Sequence, residues 1–250
     1  MLPSFPFPIA ILLFGLGVIF GSFGNVLIYR LPRAMSVWGW SGCRSCGARL
    51  HAVDLVPILS FAALKGRCRG CRERISWQYP MIELMSGLLF LLAGVLATDL
   101  FQTLILAFAM WLLLLIATID IQTQRIPDVL SIPFTVLAVV YSFSTGSFDI
   151  LSPTIAVGFL GAQWIVSRGQ WVGSGDVLLV AGLSALAGAW QYTLLALMLS
   201  YIIGAIVAAG LLMSGKKHRH DALSFAPFLA LGLLVTLVYG QQILSYFLYM

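Results

Sequence analysis

Two short stretches carry residues able to do acid–base chemistry. In Asp120-Ile-Gln-Thr-Gln-Arg-Ile-Pro-Asp128 an aspartate ends a long apolar run, and in Gly173-Ser-Gly-Asp176 another opens one. A carboxylate facing lipid costs roughly 2.5–3.5 kcal/mol at the bilayer centre and less near the interface. Two of them at the ends of apolar runs therefore point to a buried pair with a task. The chemistry is that of an aspartic protease, Asp120 and Asp176 being its catalytic pair. One carboxyl activates water as a base, and the other protonates the carbonyl or the leaving amine. Like charges at close range do not both ionise, so such a pair titrates in two separated steps. Gly173 and Gly175 leave room beside Asp176 for a substrate backbone. Each acid has a plainer reading to set against this. Asp176 also fits a helix N-cap. Asp128, after Pro127, fits a first-turn acid. Asp120 sits at a helix C-terminus, where the macrodipole disfavours an acid, so capping does not explain it.

A second cluster is metal chemistry. The four cysteines fall as Cys43-Arg-Ser-Cys46 and Cys68-Arg-Gly-Cys71. Two CxxC pairs give four thiolates able to enclose a tetrahedral zinc. Disulfides are the rival reading, and they require an oxidising compartment. The loop around the pairs is too small to bury much apolar surface, so metal would supply its folding energy. His51 is treated as an ordinary loop residue.

The elements that must position these groups are membrane helices. Of 250 residues, 60% are hydrophobic and 9% charged, against about 25% charged in a soluble domain. Mean hydropathy is +1.00. The expected fold is all-α and polytopic, with about eight spans near residues 7–29, 79–98, 101–120, 127–145, 150–167, 176–190, 192–213 and 224–247. Met1-Leu-Pro-Ser-Phe-Pro has no basic n-region, so the first run is expected as a retained span. The net charge of +5 does not point to nucleic acid, because the basic residues sit in loops between spans. All 14 Lys and Arg, from Arg30 to the Lys216, Lys217 and Arg219 group, fall on one side of that map. By the positive-inside rule that side is cytoplasmic. Both termini then face out, and Asp120, Asp176 and the cysteine loop of residues 31–78 all lie at the cytoplasmic edge.

Three further features belong to the early spans. Gly17-xxx-Gly21 is a close-packing spacing for membrane helices, with packing its expected role. Ser22 and Asn25 lie one helical turn apart, as glue or as the lining of a site. Glu83, one turn into the second span, fits a dipole-complementing acid or a wall of a cytoplasmic-side pocket.

Taken together these residues resemble the type IV prepilin peptidases, bifunctional leader peptidases and N-methyltransferases of the GxGD aspartic protease group. The resemblance runs through Gly21-Ser-Phe-Gly-Asn25 to Pro32, both CxxC pairs, Tyr79-Pro80-Met-Ile-Glu83-Leu, Asp120 to Asp128, Gly173-Ser-Gly-Asp176, and Phe225-Ala-Pro227. It implies an inner-membrane enzyme that cuts the basic leader of a prepilin or pseudopilin after glycine, then N-methylates the new terminus with S-adenosylmethionine. It implies a methyltransferase-like region over residues 1–100 and a peptidase region over 101–250, with Gly173, Gly175, Asp128, Asn25 and Glu83 as supporting or substrate-binding residues. Two positions depart from the family pattern. Ala226 replaces a glycine, and Leu178 stands where a lysine is usual.

Two other classes compete. A transporter would use Asp120 and Asp176 as ion or proton sites, but no internal repeat is visible and the acids lie at span ends. A non-catalytic scaffold would use the zinc loop to recruit a partner.

Overall fold

The structure, a computed structural model, describes residues 6–218 and 222–248. Arg219 of the basic loop and the Met1–Phe5 segment lie outside the described residues. Helix is the dominant regular element among them, with two isolated bridges in the cysteine loop. The chain divides into two compact units, Met1–Trp111 and Leu112–Met250.

The first unit is built on a pair of helices, α1 (Phe7–Arg30) and α3 (Gln78–Leu96), with the short α2 (Leu59–Ala63) in the loop between them. α1 runs into Leu31-Pro32, where proline ends α-helical hydrogen bonding. The α1–α3 seam is made by missing side chains. A Cβ on Gly17 would lie 2.6 Å from the Ser86 carbonyl oxygen, and one on Gly21 would lie 2.6 Å from Glu83 Cα. The Gly17-xxx-Gly21 spacing is thus the contact stripe, as expected. The first half of α4 (Leu100–Thr123) closes this unit. Phe108 meets Phe20 edge-on at 4.7 Å, and the Trp111 indole N–H donates to the Phe20 carbonyl at 3.1 Å.

The second unit holds the remainder of α4 with α5 (Asp128–Ser144), α6 (Leu151–Val166), α7 (Ser174–Ala187), α8 (Trp190–Met213) and α9 (Ala226–Leu248). α7 packs against α5, α6, α8 and α9. Gly182 of α7 leaves the space that the Phe134 ring of α5 fills. α7 ends at Gly188, whose φ of +81° a side chain would strain. Its carbonyl accepts the Ser152 hydroxyl of α6 at 2.8 Å.

Every expected apolar run is helical, and the eight expected spans divide into five long helices and three shorter apolar ones. Among the described residues, five helices are long and apolar enough to cross a membrane: the first from Phe7, then Gln78–Leu96, Leu100–Thr123, Trp190–Met213 and the last from Ala226. α5, α6 and α7 have 17, 16 and 14 residues. At 1.5 Å per residue they reach roughly 21–26 Å, against a hydrocarbon core of about 30 Å. Their ends are taken up by the turns at Thr145-Gly146, Ser167–Gln170 and Gly188.

Candidate active site and metal centre

Asp120 lies in the last turn of α4 and is 5% exposed. A helix C-terminus is a poor place for an acid, and the start of α9 compensates. The Ala226 backbone N–H donates to Asp120 Oδ2 at 3.1 Å, and the Phe225 N–H also reaches the carboxylate. The Ser224 hydroxyl donates to the Asp120 carbonyl oxygen at 2.9 Å. A helix N-terminus is thereby turned onto a carboxylate, a favourable arrangement for negative charge. The loop after α4 is tied to the same segment, because Gln124 Nε2 donates to the Ala222 carbonyl at 2.8 Å.

Asp176 is the third residue of α7, and its N-cap is Gly173. Its Oδ2 accepts the Gly173 backbone N–H at 3.1 Å. Gly173 has no side chain to return that bond, so this is half of a capping box. Capping therefore accounts for one carboxylate oxygen. The other, Oδ1, is buried without a hydrogen-bond partner among the described residues, and such an atom costs about 1–3 kcal/mol unless something else reaches it. α4 and α7 leave Asp120 near enough to Asp176 for its charge to be felt there.

The residues around the pair sort differently. A Cβ on Gly175 would lie 2.9 Å from Ile126 Cβ, so the room that glycine leaves is taken by this chain's own loop. Gly173 is exposed. Asp128 is the exposed first residue of α5, with Pro127 as N-cap, which is the first-turn placement. Leu178 is half-buried, and Arg125 and Arg168 are exposed. Among the described residues the ion pair found is Arg69–Asp54, so neither arginine pairs with either acid.

Sequence reading passed over Tyr201 on α8. Its hydroxyl donates to Gln163 Oε1 at 2.9 Å, and its ring lies 5.1 Å from Phe225, next to the Ala226 that binds Asp120. A polar side chain inside each of two apolar runs was the available signal.

In the first unit the two CxxC pairs form matching knuckles. The Cys43 N–H donates to the Ala48 carbonyl and the Cys68 N–H to the Glu73 carbonyl, at 2.9 and 2.8 Å. The returning Gly47 and Arg72 N–H groups donate to the Cys43 and Cys68 carbonyls, at 2.9 and 3.1 Å. Gly47 and Arg72 both take positive φ, +71° and +62°. All four are free cysteines, and their Sγ atoms lie within 4.8 Å of one another. Cys43 and Cys71 are 3.8 Å apart, and a tetrahedron with Zn–S of 2.3 Å has edges of about 3.8 Å. Backbone N–H groups of Cys46 and Ser45 pull the Cys43 thiol down to about 6. His51 does not join the cluster; it precedes the short helical turn Ala52–Leu55, its N–H bound by Asp54.

Asn25 and Glu83, far apart in sequence, line one cavity of the first unit together with Ser22, Tyr79 and Cys43. Both are buried. Glu83 Oε2 accepts the Ile58 backbone N–H at 2.7 Å, so this acid anchors the cysteine loop to α3.

Two families match separate parts of the chain. Residues 15–97 match the Bacterial Peptidase A24 N-terminal domain, and residues 107–209 match the Type IV leader peptidase family. A Prepilin leader peptidase/N-methyltransferase from Pseudomonas putida is 31% identical, covering 91% of this chain and 90% of its own. The protein of the same name from Bacillus subtilis (strain 168) is 31% identical over 96% of this chain and 98% of its own. That from Aeromonas salmonicida (strain A449) is 29% identical, with 95% and 93% covered. No solved structure matches the chain.

Proposed function

This chain belongs to the type IV leader peptidase family, and on that premise we propose that it is a prepilin leader peptidase and N-methyltransferase of the bacterial inner membrane. It removes basic leaders from prepilins or pseudopilins and methylates the new N-terminus. The observation that carries the peptidase reading is the Asp120–Asp176 pair, with Asp120 fixed by the start of α9 and Asp176 Oδ1 left open.

The proposed reaction is hydrolysis of an amide. One carboxylate takes a proton from water as the water oxygen bonds to the scissile carbonyl carbon. The protonated partner gives its proton to the leaving nitrogen as the C–N bond breaks. Asp176 Oδ1 suits the water contact, because no described residue hydrogen-bonds to it. The substrate helix must unwind locally first, since its carbonyls are otherwise engaged. The one-sided Lys and Arg distribution supports a cytoplasmic site, where the leader's charges stay. Nothing comparable supports the transporter or the scaffold.

Zinc fits the cysteine cluster, on the convergence of four thiol sulfurs and the edge length of 3.8 Å. Cys43, Cys46, Cys68 and Cys71 would hold it, and its role is to fold the loop. S-adenosylmethionine, when bound, supplies the methyl group.

The test is incubation of the purified protein in detergent with a prepilin carrying its basic leader. Mass spectrometry is expected to show loss of the leader, then gain of one methyl group when S-adenosylmethionine is added. An unshortened prepilin contradicts the proposal.

A further inference from the structure

The cavity of the first unit has a volume of about 690 Å³, within the range of small-molecule sites. Its buried end lies on the α1–α3 seam. There the Asn25 amide nitrogen donates to the Gly21 and Tyr79 carbonyls, at 3.3 and 3.1 Å. Those two carbonyls fix which way the amide points, because the reversed group would set oxygen against oxygen. Asn25 Oδ1 is then buried with no partner among the described residues.

Glu83 stands in the same wall. Its carboxylate receives the Ile58 N–H and a hydrogen bond from Ser22, and no cation among the described residues pairs with it. The buried end of the cavity thus presents an orphaned amide oxygen and a carboxylate. A buried acceptor such as Asn25 Oδ1 calls for a donor or a positive group, and no described residue supplies one. The other lining is of opposite character. The Arg44 guanidinium sits over the Tyr29 ring at 3.8 Å and the Tyr79 ring at 5.2 Å. That places an anion-binding group beside two flat aromatic faces.

A ligand that answers all of these features carries a positive centre, a carboxylate and a flat ring in one small molecule. We propose that this cavity is the methyl-donor site and takes S-adenosylmethionine, its cationic part answered by Asn25 Oδ1 and Glu83 and its carboxylate by Arg44. The inference rests on the methyltransferase reading and adds to it the residues that hold the donor.

Equilibrium binding tests it, using the full-length, zinc-loaded protein in lipid nanodiscs. The probes are S-adenosylmethionine and S-adenosylhomocysteine, which lacks the sulfonium charge. The wild-type chain binds the charged ligand more tightly. Asn25→Leu and the isosteric Glu83→Gln each weaken S-adenosylmethionine about tenfold or more. Both leave S-adenosylhomocysteine nearly unchanged, so the discrimination collapses. Equal loss of both ligands would show a structural role only and overturn the proposal, as would unchanged binding. Zinc content reports folding of this unit, and if Asn25→Leu loses its zinc, Glu83→Gln carries the test. A peptide with a free N-terminal amine is the third probe. If Glu83→Gln weakens that peptide alone, the cation received there belongs to the cut pilin and the proposal falls. A wild-type protein that methylates cut pilin while both variants bind the donor normally sinks this inference and leaves the methyltransferase reading intact. A wild-type protein that neither binds the donor nor methylates sinks both.

Discussion

The Ala226 backbone N–H donates to Asp120 Oδ2 at 3.1 Å, across 106 positions of the chain. Asp120 ends one helix and Ala226 begins another, so the unfavourable end of α4 is offset by the favourable end of α9. The contact uses the backbone, and it explains how alanine can stand where the family pattern has glycine. Ala226→Gly keeps the N–H and is expected to leave leader cleavage near the wild-type rate in a peptide assay. A loss of about tenfold, the scale of one charged hydrogen bond, would show that the alanine side chain matters instead.

Leu178 gives a second test. It stands two residues beyond Asp176, and no arginine among the described residues pairs with either acid. A cation introduced there favours the ionised form of a neighbouring carboxylate. Leu178→Lys is therefore expected to move the pH–rate profile for cleavage toward lower pH. An unmoved profile would show that this position does not act on the pair.

How much of this was legible depended on whether a residue's partner was near in sequence or defined by pattern. Asp120 and Asp176 stood out because charges interrupt apolar runs, and the four cysteines because their spacing is a ligand pattern. The helices followed from run length, but α5 to α7 came out shorter because Gly146, Gly169 and Gly188 end or follow them in turns. Tertiary partners were not legible. Nothing in the Phe225-Ala-Pro227 run announces a bond to Asp120. Nothing in Glu83 announces the Ile58 N–H, and Tyr201 looked like one more aromatic residue in an apolar helix.

The glycine seam predicts a graded stability series. Gly17→Ala and Gly21→Ala each put a Cβ within 2.6 Å of α3 backbone atoms, whereas Gly15 has open space. Overpacking of this kind costs about 1–3 kcal/mol. Thermal unfolding in detergent is expected to fall for the first two and to hold or rise for Gly15→Ala. Equal effects at all three positions would remove the seam from the account.

The cysteine cluster predicts one zinc per chain by metal analysis. Cys43→Ser and Cys68→Ser each break the tetrahedron, and both variants are expected to lose zinc and to lose methyl transfer before cleavage. Full metal content in either variant would place the ion elsewhere.

The most direct measurement is leader cleavage by Asp120→Asn, Asp176→Asn and the double variant, on one prepilin, with methylation followed on a pre-cleaved substrate. Asparagine keeps size and hydrogen bonding and removes the ionisable group. Loss of a catalytic acid or base costs about 10²–10⁴-fold, and a pair acting as one unit puts each single variant at the large end, with the double little worse. The account predicts that outcome together with retained methylation of the pre-cleaved pilin. Full cleavage by Asp176→Asn would contradict it.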